Sequence, residues 1–460
     1  MFAQAATNFE HDRIRNCLDL SWSFPGLQQI SYFSERVLQI ESTRLEWQRP
    51  GSDQITILSL LRKFRAKEAS DQRDKVFALL GMVNYWHDQE PFQPSYRFDI
   101  GHVFRATTLD TIRGTQSLSI LSGDLTRRRV NAQLPSWVMD WSYPTQRYEL
   151  DRLNSTSLFN TSAGNIDKIW LHGNDILEVG SVHVDSILAV GEALHHTQIN
   201  ETLATIRKWK FMASIHLYPN HRYSPSSSQL PTKLTRHDAF WLTLISDVLH
   251  DGLHSAVLPS IETIRPRCRR ARSPAPDAAM DGGFEGYNSV LERSVEIWSQ
   301  WARCIARDTS SRTAVLTAAD LADGVADVHY ALLAATTSRC FFITRDGYMG
   351  MGPIDTQVGD EVRILLGSRV PFVVRRGEAT SASSHGNTFK RCMAEKLQLL
   401  VSNEIQKNER ECAIDKRKNG DRCWKKHDCH RLVGDCFVTG IMDGELMTAR
   451  PRRTEPLYII

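Results

Sequence analysis

The spacing of apolar residues changes partway along this chain, and the change constrains the fold more than any single motif does. Through the first third, apolar residues recur every three to four positions, whereas from Arg339 onward they recur every second position. The first spacing lays a stripe along one side of a helix and the second lays a face along a strand, and neither pattern serves for the other. A chain carrying both, in that order, is expected to be α+β, with a helical N-terminal part, a mixed middle part and a small antiparallel β unit at the C-terminus. The parts are expected at 1–150, 151–335 and 336–460.

The helical reading rests on residues 54–67, where Ile57, Leu58, Leu60, Leu61 and Phe64 share one face. Arg62, Lys63, Arg65 and Lys67 form the other, which reads as a solvent face. In 70–81, Ser70 or Asp71 is expected to cap a short helix that Gly81 closes in the left-handed conformation. Asp74 falls in its first turn, where the helix dipole favours a carboxylate. Arg73 and Asp74 are read as holding a neighbouring loop, with a functional acid as the alternative. Asp99 is expected to cap a further helix over 100–112, ended by Gly114. In LPSWVMDWS (134–142), Pro135 forces an extended entry and Trp137 and Trp141 are large enough to anchor a loop against the helices. A tryptophan pair around Asp140 also suits a ligand pocket; packing is the reading adopted.

In the middle part, 169–173 and 176–179 are separated by Gly173, Asn174 and Asp175, a hairpin signature, and Val182, Val184 and Ile187 continue the strand. Residues 239–249 and 290–305 have helical spacing. Between them, 262–282 is rich in arginine and then proline and reads as a linker. In the last part, strands are expected at 340–344, 348–350, 362–366, 372–375 and 432–438, the third packed mainly on one face. Short strands joined by glycine turns point to a curled sheet or barrel. The glycines of GYMGMGP (347–353) do not lead into a helix, so they are assigned to turns and not to a phosphate cradle. Residues 379–430 are polar and charged and are read as a disordered insertion. Cys392, Cys412, Cys423, His427, Cys429 and His430 fall there, at spacings that fit zinc poorly.

Four stretches together resemble fungal heterokaryon-incompatibility (HET) domain proteins. They are LLRKFR (60–65) with SDQRDKVFALLG (70–81); LPSWVMDWS (134–142); RCFFIT (339–344) through GYMGMGP (347–353) to GDEV (359–362); and PFVVRR (371–376), resumed at RLVGDCFVTGIMDGE (431–445). They look like the region that follows the HET domain. The blocks resembling "YxALSYxWG" and "WIDAxCIxQ" that mark the domain itself do not occur here. The resemblance implies a role in non-self recognition and the programmed cell death that follows fusion of unlike cells. The death effector of such proteins is thought to be the HET domain, with a fold similar to TIR signalling domains, and none of its residues has a counterpart to carry over. Family members run from the PFVVRR-like stretch to the next one over a shorter distance than 376–431 spans here.

The remaining constraints narrow the function. The chain carries 56 basic and 53 acidic residues, a net charge of +3, too slight to require nucleic acid or an anionic membrane as partner. No apolar stretch approaches the roughly 20 residues of a membrane helix, and the N-terminus lacks a secretory pattern. With nine thinly spread cysteines, a reduced, soluble, cytoplasmic protein is expected. No catalytic, cofactor-binding or metal-ligating residue is assigned, and no cofactor is called for. The expected function is a non-catalytic HET-family protein acting on an unknown protein partner, in an oligomeric state left open. The alternatives are an enzyme with a carboxylate site, around Asp140 or at Asp443 and Glu445, and a gene fragment without independent function.

Overall fold

Helix α1 (Ile57–Phe64) begins where the Thr56 hydroxyl accepts a hydrogen bond from the Ser59 amide at 3.3 Å, and it buries Leu60 and Leu61. Its charged face departs from expectation. Arg65 is buried, donating from Nε to the Tyr143 carbonyl at 2.8 Å and from Nη2 to the Asp140 carbonyl at 3.0 Å. Arg62 donates to the Ser119 carbonyl at 2.6 Å. A guanidinium offers several donors in a fixed fork, so these arginines satisfy carbonyls of other segments, the Asp140 carbonyl in a buried contact. The computed structural model in which this is seen describes residues 37, 40, 41, 43–45, 55–87, 89–128, 134–145, 147–173, 175–195, 199–215, 236–248, 325–377, 414–415, 429–448 and 453–460.

Helix α2 (Asp74–Phe77) carries Asp74 in its first turn, and Asp71 accepts from the Arg73 amide at 2.9 Å. Arg73 donates to the Tyr96 and Phe98 carbonyls at 2.6 and 2.9 Å, while Asp74 accepts from the Tyr96 hydroxyl at 2.5 Å. The two residues hold a loop, as their positions imply. Gly81 does not form a left-handed cap; it lies inside the short 3-10 turn Leu80–Met82. Asp99 caps α3 (Ile100–Thr115), accepting from the His102 amide at 2.8 Å. That helix runs past Gly114 and stops at Gln116, which takes the left-handed conformation with φ 51°. The next helix, α4 (Arg147–Ser155), follows the tryptophan corner.

The strands are β1 (Ile169–His172), β2 (Ile176–Val190), β3 (Arg339–Thr344), β4 (Met349–Pro353), β5 (Glu361–Leu365), β6 (Phe372–Arg376), β7 (Ile414–Asp415), β8 (Cys429–Asp435), β9 (Phe437–Val438) and β10 (Glu455–Ile459). They form one sheet in the order β10-β8-β6-β5-β2-β3-β4-β9, with β1 on β2 and β7 on β1. The overall class is α+β, helices first and sheet after, but the sheet is not confined to the C-terminal third. The middle-chain strand β2 runs for 15 residues, and two register shifts, at 183/185 and 187/189, let it pair in turn with β10, β5 and β3. β10 pairs with both β2 and β8, so β2, β5, β6, β8 and β10 make a closed ring. Closure removes the exposed edges that open sheets must protect. The β8–β10 seam is parallel and the rest of the ring antiparallel.

Closure also corrects the reading of β5, which is buried at all five positions and not on one face. Val362 and Ile364 join Val182, Phe342, Val373 and Val438 in one core cluster, whereas Leu365 joins Phe372, Leu432, Leu457 and Ile459 in the other. Three further helices, α5 (Ile199–Ser214), α6 (Arg236–Leu244) and α7 (Val325–Thr336), meet the sheet near β3 and β4. There Phe341 stacks on Trp209 at 6.1 Å and takes the edge of Phe240 at 5.6 Å. A final turn, α8 (Glu445–Thr448), precedes β10. The helix expected at 290–305 and the linker at 262–282 lie outside the described residues, as does most of 379–430. Of that last segment, Ile414–Asp415 pairs in parallel with β1, and Cys429 and His430 begin β8. Its two ends meet, because the Gly377 amide donates to the Cys429 carbonyl at 2.9 Å.

Candidate functional site

The tryptophan corner singled out from sequence joins separate segments of the chain. Trp137 and Trp141 are buried, and the Trp137 indole donates to the Asp175 carbonyl at 2.9 Å, tying the corner to the β1–β2 turn. Asp140 accepts from the Ser142 amide at 2.9 Å and from its hydroxyl at 2.5 Å. Arg65 lies 5.5 Å above the Trp141 ring. In GYMGMGP, Gly347 turns the chain with φ 86°. Gly350 lies against the Phe342 ring, where a side chain would collide. Asp443 is exposed, and its amide donates to Glu445 at 2.7 Å across the start of α8. These two acids therefore belong to a turn. His427 and the cysteines of the insertion other than Cys429 lie outside the described residues.

Two clusters of buried charge, neither assigned from sequence, are where the titratable groups of the fold converge. The first surrounds Asp435 at the end of β8, only 2% exposed. Its Oδ1 accepts from the Gly123 amide at 2.8 Å and its Oδ2 from Arg152 of α4. Arg339 of β3 stands 3.8 Å from Oδ1 and donates from Nη2 to the carbonyls of Asp435 and Met351, both at 2.8 Å. Burial alone would raise the proton affinity of Asp435. Arg152, then Arg339, outweigh it and hold the carboxyl below the usual range. Burial lowers the Arg339 pKa and takes that of Arg62 to about 10. Burial pushes the nearby Cys340 thiol up to about 11 and raises Cys436 as well, which disfavours their thiolates.

The second cluster lies inside one end of the ring, around Glu361 of β5. Glu361 Oε2 accepts from Arg363 Nε at 2.8 Å and Oε1 from Arg376 Nε at 2.7 Å. Arg363 also donates to Glu455 of β10 at 2.6 Å and to the Ser181 hydroxyl of β2 at 3.2 Å. His183 of β2 and His430 of β8 bring Nε2 to 3.9 and 4.0 Å from Glu361 Oε2. Contacts from β5 to β8 and to β10 pass over an intervening strand, which side chains manage on the concave side of a closed sheet. Burial would raise the Glu361 pKa, but Arg363 and Arg376 bring it below the usual value. Burial lowers both histidines, more than Glu361 restores.

The chemistry open to these clusters is limited by their own pairing. Both oxygens of Asp435 and of Glu361 already receive donors, which leaves neither placed as a general base. No group of three metal-ligating side chains forms among the described residues. The cavity beside the Asp435 cluster, walled by Ala331, Ala334, Ala335, Phe159 and Met442, holds about 30 Å³. A small-molecule site needs roughly ten times that. The sequence signal that was available is the placement of Glu361 and Arg363 at alternating positions in the otherwise apolar strand β5, on the face that closure turns inward.

A protein-family model described as the Het-6 beta-barrel domain matches residues 174–391, which links the chain to the heterokaryon-incompatibility family. The match covers β2 to β6; β8 and β10, which complete the ring, lie beyond its end. No match is found among the curated proteins or among the solved structures.

Proposed function

We propose that this chain, linked through its barrel to the heterokaryon-incompatibility family, is a non-catalytic member acting through protein–protein contacts in non-self recognition or the cell-death response to it. The Het-6 barrel match, which spans β2, β5 and β6 of the ring, carries this reading. It is supported by the charged clusters, whose carboxylates are already engaged: Asp435 by Arg152 of α4 and the Gly123 amide, and Glu361 by arginines of the ring's own strands. Large apolar side chains also stand outside the fold. Val358 is 65% exposed and Leu188 41%, on segments joined by the hydrogen bond from the Gly359 amide to the Ile187 carbonyl. No helix among the described residues is long and apolar enough to cross a membrane. A cytoplasmic location belongs to the same proposal.

The test is expression of the full chain in a filamentous-fungus host, scoring death of fused compartments against a strain without it. The expected result is a higher frequency of dead compartments, abolished by Leu188→Asp with Val358→Asp in a protein whose circular dichroism is unchanged. Equal death with and without the chain, or turnover of a metabolite by the purified protein, would refute the reading.

A further inference from the structure

We infer that His430 is an acid-sensitive latch on the seam that closes the ring, holding β8 to β10 while its imidazole is neutral and releasing β10 on protonation. The seam is short. Its register pairs Tyr458 with Cys429 and Ile459 with His430, and the Ile460 amide donates to the His430 carbonyl at 3.0 Å. His430 is also the register partner of Arg376 on β6. One residue thus joins three strands at the point of closure.

The imidazole is placed where a charge is hard to hold. Both ring nitrogens of His430 are buried and have no hydrogen-bond partner. The charged and titratable groups around it are Glu361 and Arg363 on β5, Arg376 on β6 and Glu455 on β10, with His183 of β2 across Glu361. With His430 neutral, the two guanidinium groups face two carboxylates and the set balances. Each Glu361 oxygen already accepts from an arginine, and His430 Nε2 stands off at 4.0 Å. A proton on His430 would put three cations against two anions, with the new charge on ring nitrogens that water does not touch, and an unsolvated charge without a hydrogen bond is strongly disfavoured. Turning the ring out to water relieves this, at the expense of the seam. Burial and the adjacent Arg363 already lower the imidazole's proton affinity, in keeping with that strain. His183 is 40% exposed at its side chain and can be hydrated in place, so it does not act as the latch.

The Ile460 amide reports the seam directly. Its hydrogen-exchange protection factor, measured on the full chain at pH 7.5 and pH 5.5, is expected to fall about tenfold, the change one pH unit of proton linkage produces. His430→Leu and His430→Gln should both abolish the fall, and His183→Gln should keep it. Should the leucine variant not fold, the glutamine variant carries the test. An unchanged protection factor in the wild-type chain, a fall that persists in the His430 variants, or its loss in His183→Gln would each overturn the proposal.

Discussion

The two charged clusters solve the same problem in different ways. Around Asp435, both carboxylate oxygens and the main-chain carbonyl meet buried donors drawn from a loop, a helix and a strand. Around Glu361 the arginines are also satisfied, yet one sits 71% exposed at the rim and the buried ring nitrogens of His430 have no hydrogen-bond partner. The first cluster is a complete weld between the helical layer and the sheet. The second is a weld with one open position, at the place where the ring closes. Complete pairing resists change, and incomplete pairing allows a response.

Removing one partner separates the two most strongly. Asp435→Asn leaves Arg152 and Arg339 buried against a neutral group, and a loss of about 3–5 kcal/mol is expected in denaturant unfolding. Trp137→Ala and Trp141→Ala, on the same side of the molecule, should each lower stability by ~3–5 kcal/mol, the range for emptying a buried aromatic site. Losses under ~1 kcal/mol would mean that the corner is exposed. Glu361→Gln keeps the shape and leaves Arg363 its bond to Glu455, so about 1.5–3 kcal/mol is expected. Arg376→Ala at the exposed rim should change stability by under about 1 kcal/mol. Equal losses from Asp435→Asn and Arg376→Ala would erase the distinction.

Acid should break the clusters in sequence. His430 binds its proton less readily in the folded chain than its ordinary 6.5, so its contribution is full above that value and is lost as pH falls below it. Asp435 has its pKa depressed below 3.8 by folding, so its contribution persists to about pH 4 and disappears only under stronger acid. Stability followed from pH 7.5 downward is expected to decline first at the ring seam and only later as a whole. Simultaneous loss would contradict the comparison.

Much of this was legible in the residues. Asp99 as a cap, the β1–β2 hairpin, a strand at Val362 and Ile364 and the tryptophan corner all follow from local chemistry that structure preserves. What could not be read was closure. β10 is a five-residue strand containing Pro456, and nothing local says that it pairs with both β2 and β8. Without it, Arg363 and Glu361 belong on a wet face, and Arg65 on a solvated helix, because a charge is recognised as buried only when its distant partner is known. The segment between β6 and β8 illustrates the reverse case. Its ends are joined by Gly377 and Cys429 as the strands of a hairpin are, and replacing 378–428 by a four-residue turn, which removes β7 as well, is expected to leave the cooperative denaturant transition of the chain in place.

Closure of the ring by β10 is the claim on which the Glu361 cluster depends, and denaturant unfolding of a chain ending at Thr454, compared with the full chain, tests it most directly. The expected outcome is loss of the cooperative transition, or a much lower midpoint with a smaller dependence on denaturant, because β2 and β8 lose their shared partner. Superimposable curves for the two chains would show that the sheet stands without its last strand.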